Sequence, residues 1–204
     1  MSDLFGSPLE MLQLPLPGAQ LVYYPMVELD QAPQAILQRL IDGIAWREES
    51  ITVWGKTHLQ PRLVAWHGDA GIDYTYSGIR LAAQPWTADL LHLKQKIELL
   101  SGCAFNSVLL NYYRNQRDSM GFHSDDEREL GPLPTIASLS LGHERILVFK
   151  HKSNQTLRPY PLRLPSGSLL IMQGATQQNW LHGIAKSTAP CGPRVNLTFR
   201  KIIS

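Results

Sequence analysis

The sequence has only two cysteines, Cys103 and Cys191, in a chain of 204 residues. They form no C-x-x-C pair. A disulfide framework and a thiolate zinc site are therefore both set aside, and a reducing interior fits. No apolar run approaches the roughly 20 residues that a bilayer-spanning helix needs. The opening MSDLFGSPLE carries neither a basic nor an apolar leader segment. The expectation is a soluble cytoplasmic protein without a membrane partner, and a monomer by default. Charge of one sign is also missing: 19 Lys and Arg stand against 17 Asp and Glu, a formal +2. So weak a balance does not by itself announce a polyanionic partner. Internal repeats and low-complexity tracts are absent.

What is present is ordinary globular composition, 44% hydrophobic and 18% charged. The length suits one domain, residues 1–204, with a core of its own. Fourteen prolines and fifteen glycines imply many turns, which favours a β-rich fold. Residues 1–20 read as an irregular lead-in. Over 33–46, Ile36, Leu37, Leu40, Ile41 and Ile44 recur at helical spacing, with Asp30 as a possible cap. Residues 50–80 read as a hairpin followed by an extended segment. Residues 86–100 return to a helix, with Leu90, Leu93, Ile97 and Leu100 on one face. From Asn106 onward short strands follow one another: SVLLNYY, TIASLSLG, RILVFKH, PLRL, SLLIM, NWLHGI and RVNLTFRKI. Turn residues separate them, and no helix of ordinary length fits between. Strands of this length and spacing suggest a sandwich, a jelly roll or a barrel. The fold class is α+β, with helices early and an antiparallel core late.

The first chemical signal is His123-Ser124-Asp125. In extended backbone, residues i and i+2 point to one side, so an imidazole and a carboxylate can converge on one ion. His182 is the candidate third ligand. Two imidazoles and one carboxylate on one face of an octahedron are the mark of non-haem Fe(II) oxygenases. H-x-D alone is a weak signal, and a solvated acidic turn would also account for SDDERE. The last strand adds more. Arg194, Asn196, Thr198 and Arg200 share one face by the period of two, and Val195, Leu197 and Phe199 the other. Two guanidiniums on one face suit a dicarboxylate, because Arg holds carboxylates bidentately and stays charged. Asn111 and Tyr113 also share a face and can complete a polar anion pocket.

Taken together, Asn111-x-Tyr113, His123-x-Asp125, His182 and Arg194-x-Asn196-x-x-x-Arg200 stand in an order that resembles the AlkB family of Fe(II)/2-oxoglutarate dioxygenases. The likeness extends over about residues 50–203. It is most similar to the branch that repairs double-stranded DNA, through Val53-Trp54-Gly55-Lys56, Pro61-Arg62, GDAGIDYTYSG at 68–78, HSDDERELGP at 123–132 and PRVNLTFRKI at 193–202. The resemblance implies a double-stranded β-helix, that is a jelly roll, over about 105–203. It also implies N-terminal helices and a nucleotide-recognition hairpin or lid over about 46–85. His123, Asp125 and His182 become the implied iron ligands. Asn111, Tyr113, Arg194, Asn196 and Arg200 become the implied 2-oxoglutarate contacts, with the sharing of the two carboxylates between Arg194 and Arg200 left open. The implied reaction is oxidative demethylation of bases such as N1-methyladenine and N3-methylcytosine, consuming O2 and 2-oxoglutarate and releasing succinate, CO2 and formaldehyde. Its implied setting is DNA alkylation repair, nucleoid-associated in a bacterium and nuclear in a eukaryote.

A target atom on the pairing edge forces the enzyme to extrude the base or accept a single strand. Trp54, Gly55 and Lys56 at the proposed hairpin tip are candidates to fill the gap. Tyr74, Thr75 and Tyr76 are candidates for a wall over the base, with Tyr76 where the duplex branch leads one to expect Phe. Asp126 and Glu127 are candidates to touch an exocyclic group. Arg62, Lys56, Lys150, His151, Lys152 and Arg158 are candidates for phosphate. The alternatives are the same chemistry on RNA or on a protein side chain, and a jelly-roll binding module without turnover. The intact His123, Asp125, His182, Arg194 and Arg200 argue against the last.

Overall fold

The structure, a computed structural model, describes residues 10–53, 56–76 and 79–203, with side chains described outside 51–57 and 73–82. Two strands, β1 (Leu12–Gln13) and β2 (Gln20–Tyr24), precede helix α1 (Pro33–Gly43). One hairpin, β3 (Arg47–Val53) and β4 (Lys56–Gly68), is followed by another, β5 (Asp73–Tyr76) and β6 (Ile79–Ala82). Helix α2 (Ala88–Ser101) leads to β7 (Ser107–Tyr113), β8 (Met120–His123), β9 (Ile136–Gly142), β10 (Arg145–His151) and β11 (Tyr160–Leu164). Next come β12 (Leu169–Gln173), a single helical turn α3 (Thr176–Asn179), β13 (Trp180–Ile184) and β14 (Arg194–Arg200).

Two antiparallel sheets face each other. The larger runs β1-β2-β12-β9-β14-β7-β4-β3 and the smaller runs β11-β10-β13-β8. The two-residue period sorts the side chains of the larger sheet. Val108, Leu110, Leu139, Leu141, Val195, Leu197 and Phe199 point to the helices and pack on Leu37, Leu40, Leu90, Leu93 and Ile97. Leu109, Ile136, Leu170 and Met172 point the other way and meet Leu147, Phe149, Leu162 and Leu164 of the smaller sheet. Each such side chain contributes roughly 1.5–3 kcal/mol on burial. The result is helices, sheet, inter-sheet interior, sheet, and the polar face of β14 opens onto that interior. This is the expected α+β sandwich of the jelly-roll kind. Among the described residues no helix is long and apolar enough to cross a membrane.

Both helices form for local reasons. Thr87 caps α2 by accepting the Leu90 N–H at 3.2 Å, and Gly102 closes it in the left-handed region at φ 67°. Helix α1 begins on Pro33, a residue whose fixed φ suits a first turn, and ends at Gly43, before the expected 46. Asp30 does not cap it. Its carboxylate pairs instead with His92 at 2.7 Å and Lys96 at 2.6 Å on α2. Two further expectations are corrected. The lead-in already contains β1, and β2 starts at its last residue, Gln20, and pairs with β12 in the larger sheet. The segment after the first hairpin is a second hairpin, Tyr74 opposite Leu81, and not one extended run.

Candidate metal centre and its cavity

The smaller sheet brings the two histidines together. His182 on β13 is paired in register with His123 at the end of β8, and their ring centroids lie 4.3 Å apart. Asp125 follows two residues later. One ligand atom from each of the three lies within 4.8 Å of the others, close enough to hold one metal ion. His123 Nδ1 sits 2.9 Å from the Gly121 carbonyl, which fixes it as the N–H donor and leaves Nε2 as a lone pair 3.8 Å from Asp125 Oδ1. His182 Nδ1 is buried without a hydrogen-bond partner among the described residues.

The electrostatics put these groups in ligand form. Burial alone would raise the Asp125 carboxyl, but the Arg200 guanidinium beside it and the two imidazoles hold it at about 2. Arg200 Nη2 donates to Asp125 Oδ1 at 2.6 Å. Burial, with help from His123, pushes His182 down to about 3. At neutral pH His182 is therefore uncharged, and Arg200, the largest of the influences that lower Asp125, is what chiefly keeps it ionised there. A carboxylate and a neutral imidazole need lose no proton to bind a metal.

The cavity continues inward from these residues. Its walls include Asn111, Tyr113, Ser138, Arg194, Asn196, Thr198 and Arg200. Arg194 is 1% exposed. Its Nη2 donates to Ser140 Oγ at 3.0 Å, its guanidinium lies over the Tyr113 ring at 5.1 Å, and Nε and Nη1 have no hydrogen-bond partner among the described residues. Burial lowers it to about 10, which still leaves it charged at neutral pH. Buried donors without acceptors are costly, roughly 1–3 kcal/mol each and more when charged. An anion entering the cavity would satisfy them, so the residues present fit a dicarboxylate as well as a metal.

The remaining expected site residues divide. Asn111 lines the cavity, with its Oδ1 accepting Arg62 Nε at 2.7 Å, so its amide nitrogen is left to donate. Asn196 is engaged by its neighbours: its Nδ2 donates to Ser138 Oγ at 2.8 Å and its Oδ1 accepts from Thr198 at 3.0 Å. Arg62 is 4% exposed and donates from Nε to Asn111 Oδ1, because β4 carries it into the inter-sheet space. Asp126 is exposed and paired with Lys152 at 2.8 Å. Glu127 has a buried Oε2 without a partner among the described residues. His151 accepts the backbone N–H groups of Ser153 and Asn154. Trp54 and Gly55 lie outside the described residues, and so do the side chains of Lys56, Tyr74, Thr75 and Tyr76.

Sequence reasoning missed three kinds of residue here. Ser138 and Ser140 could have been found, since they alternate with Ala137, Leu139 and Leu141 on β9. Arg145 and Gln177 carried no such signal. Gln177 Oε1 accepts the Asp125 backbone N–H at 2.9 Å from 52 residues away.

Known proteins match this arrangement. The family model described as the 2OG-Fe(II) oxygenase superfamily matches residues 20–200. The DNA oxidative demethylase ALKBH2 of Mus musculus is 42% identical over 159 residues, covering 75% of this chain and 66% of that protein. The alpha-ketoglutarate-dependent dioxygenase alkB homolog 3 of Homo sapiens is 41% identical over 175 residues, covering 82% of this chain and 60% of that protein. The chain thus spans about two thirds of the length of these relatives. The solved structure of OsALKBH1 superimposes with a TM-score of 0.64 at 17% identity, over 94% of this chain and 100% of that one, a likeness of fold.

Proposed function

Because the chain belongs to the 2OG-Fe(II) oxygenase superfamily, we propose that it removes alkyl groups oxidatively from the bases of damaged DNA, as an Fe(II)- and 2-oxoglutarate-dependent dioxygenase. One observation carries the reading. The same cavity has three ligand atoms within 4.8 Å of one another at one end and a buried guanidinium with unpartnered donors, Arg194, at the other. The relatives named for DNA demethylation supply the substrate class.

Each residue then has a task. His123, Asp125 and His182 hold the metal. Arg200, already at Asp125, takes the carboxylate of 2-oxoglutarate nearer the metal. Arg194, with Ser140 and Tyr113 around it, takes the far carboxylate. Asn111 donates its amide to the cosubstrate, and Asn196 stiffens the wall through Ser138 and Thr198. With iron and O2 bound, the centre supplies an oxidant strong enough for a carbon–hydrogen bond; 2-oxoglutarate leaves as succinate and CO2, and the oxidised N-methyl carbon leaves as formaldehyde. The protein's contribution is to bind, orient and exclude water. The pairing-edge target requires an extruded or unpaired base. Within residues 46–85, the outer part of the β3–β4 hairpin and the β5–β6 hairpin serve as the recognition lid over a core of residues 105–203; Trp54, Gly55, Lys56, Tyr74, Thr75 and Tyr76 are its base-side contacts, joined by Asp126 and Glu127 next to the metal ligands.

The test is product analysis on oligonucleotides bearing one N1-methyladenine or N3-methylcytosine, as DNA and as RNA, single and duplex. We expect formaldehyde and succinate in equal amounts with the DNA substrates, dependent on Fe(II) and 2-oxoglutarate and abolished by His182→Ala. Turnover of 2-oxoglutarate without repair of any of these strands would overturn the DNA reading, and repair confined to RNA would replace it.

A further inference from the structure

The two imidazoles are held by a ladder: β8 and β13 fix the spacing of His123 and His182. Asp125 lacks that support. It lies beyond the end of β8, in a segment outside any strand, yet is 1% exposed. Two side chains locate it. Arg200 fixes the carboxylate. Gln177 fixes the main chain, with Oε1 accepting the Asp125 N–H at 2.9 Å.

Gln177 is well placed to transmit position. It is 1% exposed and belongs to α3, which runs directly into β13 and His182. The turn is itself tied down on several sides. Thr176 Oγ1 accepts the Gln20 N–H at 2.9 Å, Gln178 Nε2 donates to the Pro132 carbonyl at 2.8 Å, and Asn179 Nδ2 donates to the Gly18 carbonyl at 2.8 Å. The other end of the Gln177 amide donates to Met172 Sδ at 3.4 Å. Reversing the amide would set its NH2 group against the Asp125 N–H, so the environment selects one orientation.

We infer that Gln177 is a positioning residue of the metal centre: by accepting the Asp125 N–H it sets where that carboxylate stands relative to His182, and divalent-metal affinity depends on it. The inference rests on the metal-binding reading proposed above. Without the acceptor, a buried N–H is left unpaired, and residues 124–127 shift until it finds another partner. The carboxylate moves with the main chain. Outer partners of this kind typically change metal affinity about 10–100-fold.

The experiment measures Mn(II) binding to the metal-free full chain by the resonance of the free ion, and the absorption spectrum of the Co(II) form. It compares wild type with Gln177→Met, which removes the strong acceptor at similar length, and Gln177→Glu, which keeps one. We expect Gln177→Met to bind Mn(II) about 10-fold more weakly or worse, with an altered cobalt spectrum and an unfolding transition still cooperative. Gln177→Glu should stay near wild type. Equal affinity for Gln177→Met and wild type, or equal loss in both variants, would overturn the inference. Should Gln177→Met not fold, hydrogen exchange in the wild type decides: the Asp125 amide should be protected, and exchange at the rate of a free loop would count against Gln177. If the wild type itself takes up no Mn(II), the metal reading fails before the variants are compared.

Discussion

Arg145 shows how a site can depend on a residue that touches none of its metal ligands. It is 5% exposed and donates to the backbone carbonyls of Asp118 at 2.9 Å and Ala185 at 2.6 Å. Its guanidinium lies over the Tyr113 ring at 5.6 Å, the ring that also meets Arg194 at 5.1 Å. One arginine thus joins two loops to the ring beside the proposed far-carboxylate site. Arg145→Met would strand the buried Asp118 carbonyl and release the part-buried Ala185 carbonyl, a cost of roughly 1–3 kcal/mol. We expect urea unfolding to report that loss and the KM for 2-oxoglutarate to rise, with Mn(II) affinity little changed. An unfolding midpoint equal to wild type would remove the role. Arg62 teaches a related lesson. Its residue type suggested phosphate, but its partner, Asn111, stands 49 residues away and only the folded register of β4 against β7 brings the two together.

Among the elements, the junction of β9 and β14 is where backbone geometry positions a functional side chain. Gly142 closes β9 at φ 97°, directly opposite Arg194. A Cβ added there would stand 2.4 Å from the Pro193 carbonyl oxygen, 2.9 Å from Leu37 Cδ2 and 3.2 Å from Arg194 Cα. Neither the conformation nor the space admits a side chain, and the first neighbour is backbone that cannot swing aside. Gly142→Ala should therefore cost at least about 1–3 kcal/mol in strain and displace the start of β14, weakening 2-oxoglutarate binding as well. Calorimetric unfolding unchanged from wild type would refute this. The strand carrying Arg194 was legible because its polar and apolar residues alternate without a break, and RILVFKH and SVLLNYY were legible as short runs rich in strand-forming residues, set off by turn residues. β2 and β8 were not. β2 follows a proline-rich lead-in and gains its place by pairing with β12, nearly 150 residues away; β8 is four residues long and contains a glycine. The hairpin after β4 was read as one extended run because its alternation continues through the turn. Gln177 was illegible because a glutamine in a four-residue helical turn has no pattern until Asp125 arrives beside it.

The whole molecule places buried histidines in two different layers, and this sets its response to acid. His182 faces the inter-sheet cavity. His67 lies on β4 at 3% exposure, with Nδ1–H donating to the Pro85 carbonyl at 2.7 Å and Nε2 buried without a partner among the described residues. A proton on that second nitrogen would gain no acceptor. Burial therefore lowers the His67 pKa below its ordinary 6.5, the Pro85 bond offsetting it only in part, and burial likewise takes His182 to about 3. In both cases the folded pKa is depressed, so the unfolded chain binds the proton first. Stability is then full above about pH 6.5 and falls as the pH drops toward the folded values. The carboxylates do not confuse this window. Asp118 and Asp125 are also depressed, but from 3.8, so their loss begins only in stronger acid. Between pH 7.5 and 5.5 the decline in the metal-free protein should therefore belong in large part to these two histidines. His67→Asn keeps a donor near the Nδ1 position for Pro85 and cannot be protonated in this range. Urea unfolding at pH 7.5, 6.5 and 5.5 should give a shallower decline for His67→Asn than for wild type, with the His182 share remaining. Parallel curves for the two proteins would show that His67 is protonated as readily in the fold as in the unfolded chain, and would remove the helix-facing layer from the acid response.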